Sequence, residues 1–167
     1  MLIQLILSVM PMFVCLFWVV LLLCDNNRNL PKNYLAFFLS LSAINYFVHA
    51  AFFNWQYDLF AFTDNIWVFT SLSSYPLYYY YIRLLTREIR IDWRWSWILL
   101  PAMVLSIFSF VIYFAMSPEE LNLFVRGVMY HEQGFTGPYP RLVRLQVLRT
   151  TLFKAFFLVQ VILSVWF

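Results

Sequence analysis

Charge is what this chain has least of. Only 11% of its 167 residues are charged, against 63% apolar and 22% aromatic. A soluble domain carries about 25% charged residues and about 45–50% apolar ones. So short a chain cannot hide that excess in one soluble core; the surplus would lie on the surface and aggregate. The low charge therefore excludes an ordinary water-soluble domain, and the mean hydropathy of +0.75 points to lipid as the solvent. Histidine and cysteine are equally scarce, two of each. Cys15 and Cys24 fall in the first apolar run without metal-ligand company, which favours small apolar fillers over a disulfide or redox pair. His49 and His131 are the two histidines, and Phe135 stands where a zinc-protease H-E-x-x-H motif would need its second His. No paired-carboxylate, Ser–His or Walker pattern occurs either. The expectation is no catalytic residue, no metal and no cofactor.

What is present is a series of apolar runs. A membrane helix needs about 20 mostly apolar residues, since each rises about 1.5 Å through a hydrocarbon core about 30 Å thick. The run 2–24 carries no charge, and it lacks the basic leader and small-residue cleavage site of a signal peptide. Runs 33–53, 64–82, 95–116 and 150–167 follow, the last open to an earlier start near Arg141. The fold expected is all-α: a polytopic transmembrane bundle of about five spans, one domain over 1–167. Trp93, Trp95 and Trp97, beside Arg90, Asp92 and Arg94, read as an interfacial belt. The last run is still apolar at Phe167, which reads as a piece of a longer protein whose C-terminal cytoplasmic domain is missing.

Orientation comes from Lys and Arg in the short loops. The first loop has Arg28 and Lys32, the third has Arg83, Arg87, Arg90 and Arg94, and the second, 54–63, has only Asp58. Loops one and three are expected in the cytoplasm, with the N-terminus outside and the fifth span ending inside. The long fourth loop, 117–149, dissents: it would lie outside yet carries Arg126, Arg141, Arg144 and Arg149.

Polar groups inside the spans are the candidates for function, because in hydrocarbon they turn to the bundle and find partners. Asn45 and His49 share one helical face; they form either a pocket wall or an interhelical hydrogen bond, the second being the commoner use. Lys154 has a stem long enough to reach the interface. Pro11 and Pro76 each remove a helix hydrogen bond and predict kinks. Thr70, Ser71, Ser73 and Ser74 precede Tyr75, Pro76 and four tyrosines. Ser73, Tyr75 and Tyr78 are ligand-pocket candidates, weighed against a tight helix contact with an aromatic belt. His131, in the turn-rich stretch 131–140, marks a candidate external ligand loop.

Two segments carry a family resemblance. Pro31-Lys32-Asn33-Tyr34-Leu35-Ala36-Phe37-Phe38-Leu39 opens the second run, and Ser73-Ser74-Tyr75-Pro76-Leu77-Tyr78-Tyr79-Tyr80-Tyr81 lies within 71–86. Both resemble the membrane-embedded N-terminal region of Bacteroidetes-type AraC-family transcriptional regulators, in which a multi-span bundle precedes a cytoplasmic helix-turn-helix domain. The resemblance implies a sensor or anchor module in a bacterial inner membrane. The lipid bilayer would be its partner, a homodimer is compatible, and DNA would be reached only through a domain not in this chain. It carries over no DNA-contact residue and names no ligand. Two other classes fit the layout: the membrane input region of a sensor histidine kinase, and a small transporter or channel subunit. No internal repeat supports the latter.

Overall fold

The computed structural model describes residues 2–25, 29–86, 97, 99–132 and 138–166, with the side chains of 2 and 163–166 left undescribed. The described residues are helical almost throughout: α1 (Leu2–Cys24), α2 (Leu30–Phe53), α3 (Tyr57–Thr86), α4 (Leu100–Ala115), α5 (Pro118–Asn122), a π-helix (Leu123–Met129) and α6 (Arg141–Trp166). Three of these helices are long and apolar enough to cross a membrane: α1, α2 and α6. α3 has the length, at 30 residues, but its middle is rich in Thr, Ser, Asp and Asn. α4 is apolar but is described over only 16 residues, about 24 Å of helix.

Local chemistry sets the element ends. Pro31 occupies the first turn of α2, where the missing N–H costs nothing. Lys32 reaches back to Asp25, pairing with its carboxylate at 3.2 Å and closing the α1–α2 turn. Ser117 and Glu120 form a reciprocal capping box that starts α5. Pro11 and Pro76 both lie inside uninterrupted helices.

α1 packs on α2 and α2 on α3, while α3 also packs on α4 and α6, which touch each other. α3 is thus the centre of the bundle. Two side chains tie the start of α1 to the end of α2: Gln4 donates to the Phe53 carbonyl and Asn54 donates to Ser8, each at 2.8 Å. α3 and α6 run parallel, since Asp64, Trp67 and Leu72 meet Arg149, Phe153 and Gln160 in the same order. The connection 54–56 meets the π-helix end at one pole of the bundle, where Tyr57 bonds Glu132. At the other pole Tyr34 bonds the Leu77 carbonyl and stacks on Tyr81.

Three expectations change. The second loop shrinks to 54–56, because α3 starts at Tyr57 rather than near residue 64. The fourth loop loses its last arginines to helix: α6 begins at Arg141, and Arg149 sits in its third turn. Arg149 is also completely buried, so it does not count among the loop charges that set orientation. Cys24 is exposed and fills nothing, whereas Cys15 is buried; both are free. Of the expected aromatic belt, Trp97 is exposed, while Trp93, Trp95 and the charges beside them lie outside the described residues.

Candidate functional site: a buried polar seam between three helices

Most of the fully enclosed polar side chains among the described residues form one seam where α3, α4 and α6 meet. Asp64, Ser109, Gln146 and Arg149 are all completely buried. Each helix supplies one face to the seam: Ser106, Ser109 and Tyr113 recur on α4 at helical spacing, as do Gln146, Arg149 and Phe153 on α6. Asp64 Oδ2 accepts a hydrogen bond from Arg149 Nη2 and a second from the Tyr113 hydroxyl at 2.9 Å. One turn along, Gln146 donates to Ser109 at 2.9 Å, and Ser106 donates to the Asn65 carbonyl at 2.8 Å. The Arg149 guanidinium lies over the Phe124 ring at 5.8 Å, within cation–π range.

Such a charge pair is costly to bury and is tolerated where each member neutralises the other. Here the pairing is incomplete. Arg149 Nε and Nη1, Asp64 Oδ1 and Gln146 Oε1 have no hydrogen-bond partner among the described residues. An Arg–carboxylate pair at full strength uses two parallel bonds; this one uses a single guanidinium nitrogen. The seam therefore combines a strong mutual attraction with donors and acceptors that have no partner among the described residues.

Asn45 and His49 reach α3 from α2, and each makes one bond to it. Ser71 donates to Asn45 Oδ1 at 3.3 Å, and the Trp67 indole N–H donates to His49 Nε2 at 2.8 Å. Trp67 then packs at a tilt on Phe153 of α6, with ring centroids 4.7 Å apart. Ser73, Tyr75 and Tyr78 are not brought together. Ser73 is fully enclosed with its hydroxyl unpaired among the described residues, Tyr75 packs edge-on against Phe157, and Tyr78 is 54% exposed. Ser73 lies on another side of the helix from Tyr75 and Tyr78, which share a flank but pack against different rings, Phe157 and Phe38. His131 is exposed, with a left-handed backbone at φ 55°, and the rest of the candidate ligand loop, 133–137, lies outside the described residues.

Beside it is an aromatic cluster at the loop pole. Tyr130 packs against Phe52, Trp55 and Tyr57, with centroids at 4.6, 5.1 and 4.8 Å. Arg126 covers the far side of Tyr57 at 4.5 Å. Burial, with Tyr57 and Glu132 nearby, pushes the Tyr130 phenol up to about 12.

The seam was missed in the sequence for a definite reason. Asp64 stood at the presumed edge of a span and Arg149 in a presumed loop, so neither counted as an intramembrane charge. The signal that would have found them is Gln146 and Arg149 three residues apart on a helix with Val143 and Phe153. No protein-family model, curated protein or solved structure matches the chain. Among the described residues no three His, Cys, Asp or Glu side chains group as metal ligands.

Proposed function

We propose that this chain is the membrane sensor or anchor region of an AraC-type transcriptional regulator, set in a bacterial inner membrane. The observation that carries the reading is the enclosed Asp64–Arg149 pair clamping α6 to α3. Ionisable groups within a membrane are rare and mark functional sites, with their partner as the natural switch contact. α6 is the helix that would lead into a cytoplasmic DNA-binding domain, so a change at the seam would be felt by whatever α6 carries. The resemblance of 31–39 and 71–86 to such regulators supports the same assignment.

The finer topology belongs to this proposal. Five helices cross, α3 and α4 joining the three that are apolar enough alone, with the N-terminus outside. α3 crosses because its polar side chains turn inward; Thr63, Asp64, Asn65, Thr70, Ser71 and Ser73 are all buried. Support comes from the parallel run of α3 and α6, and from 54–56 meeting the segment after α4 at one pole. Alternating spans require both.

The test is the source gene read past Phe167, with a reporter under the encoded regulator. An open frame with a helix-turn-helix domain, and a reporter whose output changes in Arg149→Met, is the expected result. A stop codon at that point, or a reporter indifferent to Arg149→Met in the intact protein, overturns the reading. A phospho-acceptor helix in the open frame would replace it with a kinase input region.

A further inference from the structure

A second feature lies one helix face away from the seam. Between α2, α3 and the π-helix is a cavity of about 170 Å³, walled by Val48, His49, Phe52, Phe60, Trp67 and Met129. An apolar cavity of about 150 Å³ stays dry and holds a benzene ring. This one is thus a single-ring space, well below the size of a drug-sized pocket. Its aromatic walls come from α2 and α3, and Met129 of the π-helix adds a polarisable thioether that suits the edge of a ring.

The lining has one polar group to offer. The Trp67 N–H is already spent on His49 Nε2. A ring nitrogen that accepts is unprotonated, so the neutral imidazole carries its proton on Nδ1. That Nδ1–H has no hydrogen-bond partner among the described residues, and it is not among the fully enclosed unpaired atoms. The cavity therefore presents an apolar slot with one imidazole in its wall, its Nδ1–H without a partner among the described residues. A saturated acyl chain would leave the donor unpaired, at a cost; a ring bearing one oxygen acceptor would not.

We propose that this cavity binds a small, single-ring aromatic molecule with one hydrogen-bond acceptor, ring between Phe52, Phe60 and Trp67, acceptor on His49 Nδ1–H. The cavity is also wired to the seam. Trp67, which bonds His49, packs on Phe153, one turn beyond Arg149. Phe60 shares an apolar cluster with Phe124, the ring beneath Arg149. Occupancy thus bears on the α3–α6 contact directly. The binding site stands on this geometry alone; its part as the input of a regulator rests on the function proposed above.

The test uses the full chain in phosphatidylcholine nanodiscs, with acetophenone as the acceptor-bearing probe and ethylbenzene as the probe without one. The readout is the Trp67 indole N–H resonance, assigned with Trp67→Phe. Acetophenone is expected to shift it saturably and to bind about 3–10-fold tighter than ethylbenzene, the span of one net hydrogen bond. His49→Phe should erase that difference while keeping ring binding. Val48→Phe, or Met129→Trp if the first fails to fold, should remove saturable binding of both. Equal affinity of the two probes in the wild type overturns the donor assignment. A shift that rises linearly and survives cavity filling is partition into lipid, and overturns the site. Neither result depends on what lies downstream of Phe167, so the site and the regulator reading fail separately.

Discussion

α1 and α3 are both long helices of one bundle, and they are built on opposite plans. α1 is apolar apart from Gln4 and Ser8 and presents Ile3, Leu7, Phe13, Phe17 and Leu23 outward, each more than 60% exposed; among its described residues Cys15 and Val19 alone reach burial, at 9%. α3 encloses Thr63, Asp64, Asn65, Thr70, Ser71 and Ser73 and touches α2, α4 and α6. The helix that hydropathy marks most strongly is thus the peripheral one. The reason is physical. Lipid tails are as apolar as leucine, so apolar side chains give helices in a bilayer no reason to prefer each other over lipid. Close packing of small residues and polar contacts must do it, and those lower the hydropathy of the helix at the centre.

The contrast predicts where substitutions hurt. The largest effect belongs to the ion pair: Asp64→Leu or Arg149→Met alone should destabilise by about 3–5 kcal/mol, since each strands a buried charge. The double variant should recover most of that loss. Unfolding of the purified protein by detergent titration measures both, and single variants as stable as the wild type would dissolve the distinction between the two helices. Next comes the neutral part of the seam. Ser109→Ala or Gln146→Leu should cost about 0.6 kcal/mol and at most about 1.7, the range of interhelical hydrogen bonds in membranes. The same titration sharpens the comparison by showing how much of the seam is charge and how much is hydrogen bonding. Smallest of all, Phe13→Leu or Phe17→Leu on α1 should stay within about 0.5 kcal/mol of the wild type, as exposed positions do. A larger loss there would mean that α1 has a protein neighbour.

Much of the layout could be read in the residues, because run length and absence of charge are enough to place an apolar helix. α1 matches its run of 2–24, and α2 departs from 33–53 only by starting at Leu30. Asn45 and His49 could be placed on one face by spacing, and the structure gives each an interhelical bond to α3. The start of α3 was illegible for the reason that makes it central. Between Tyr57 and Asn65 its polar residues imitate a loop, and only the neighbours that bury them reveal a helix. Arg149 was hidden the same way: in a sequence, an arginine waiting for a carboxylate looks like one waiting for water. The π-helix, whose Met129 lines the cavity and whose Phe124 lies beneath Arg149, left no periodic trace in so short a segment.

The distance along the chain between Asp64 and Arg149 sets a schedule for biosynthesis. They are 85 residues apart, and at about 5–20 residues per second of translation the arginine is made roughly 4–17 s after the carboxylate it neutralises. Throughout that interval the nascent α3 carries an acidic group whose intended partner does not yet exist. α3 must then be sheltered by α2, by the insertion machinery or at the membrane surface until α6 arrives. α6, made well after α3, completes the middle of the bundle, and a chain cut short of Arg149 would leave an acidic, half-assembled span for membrane proteases to find.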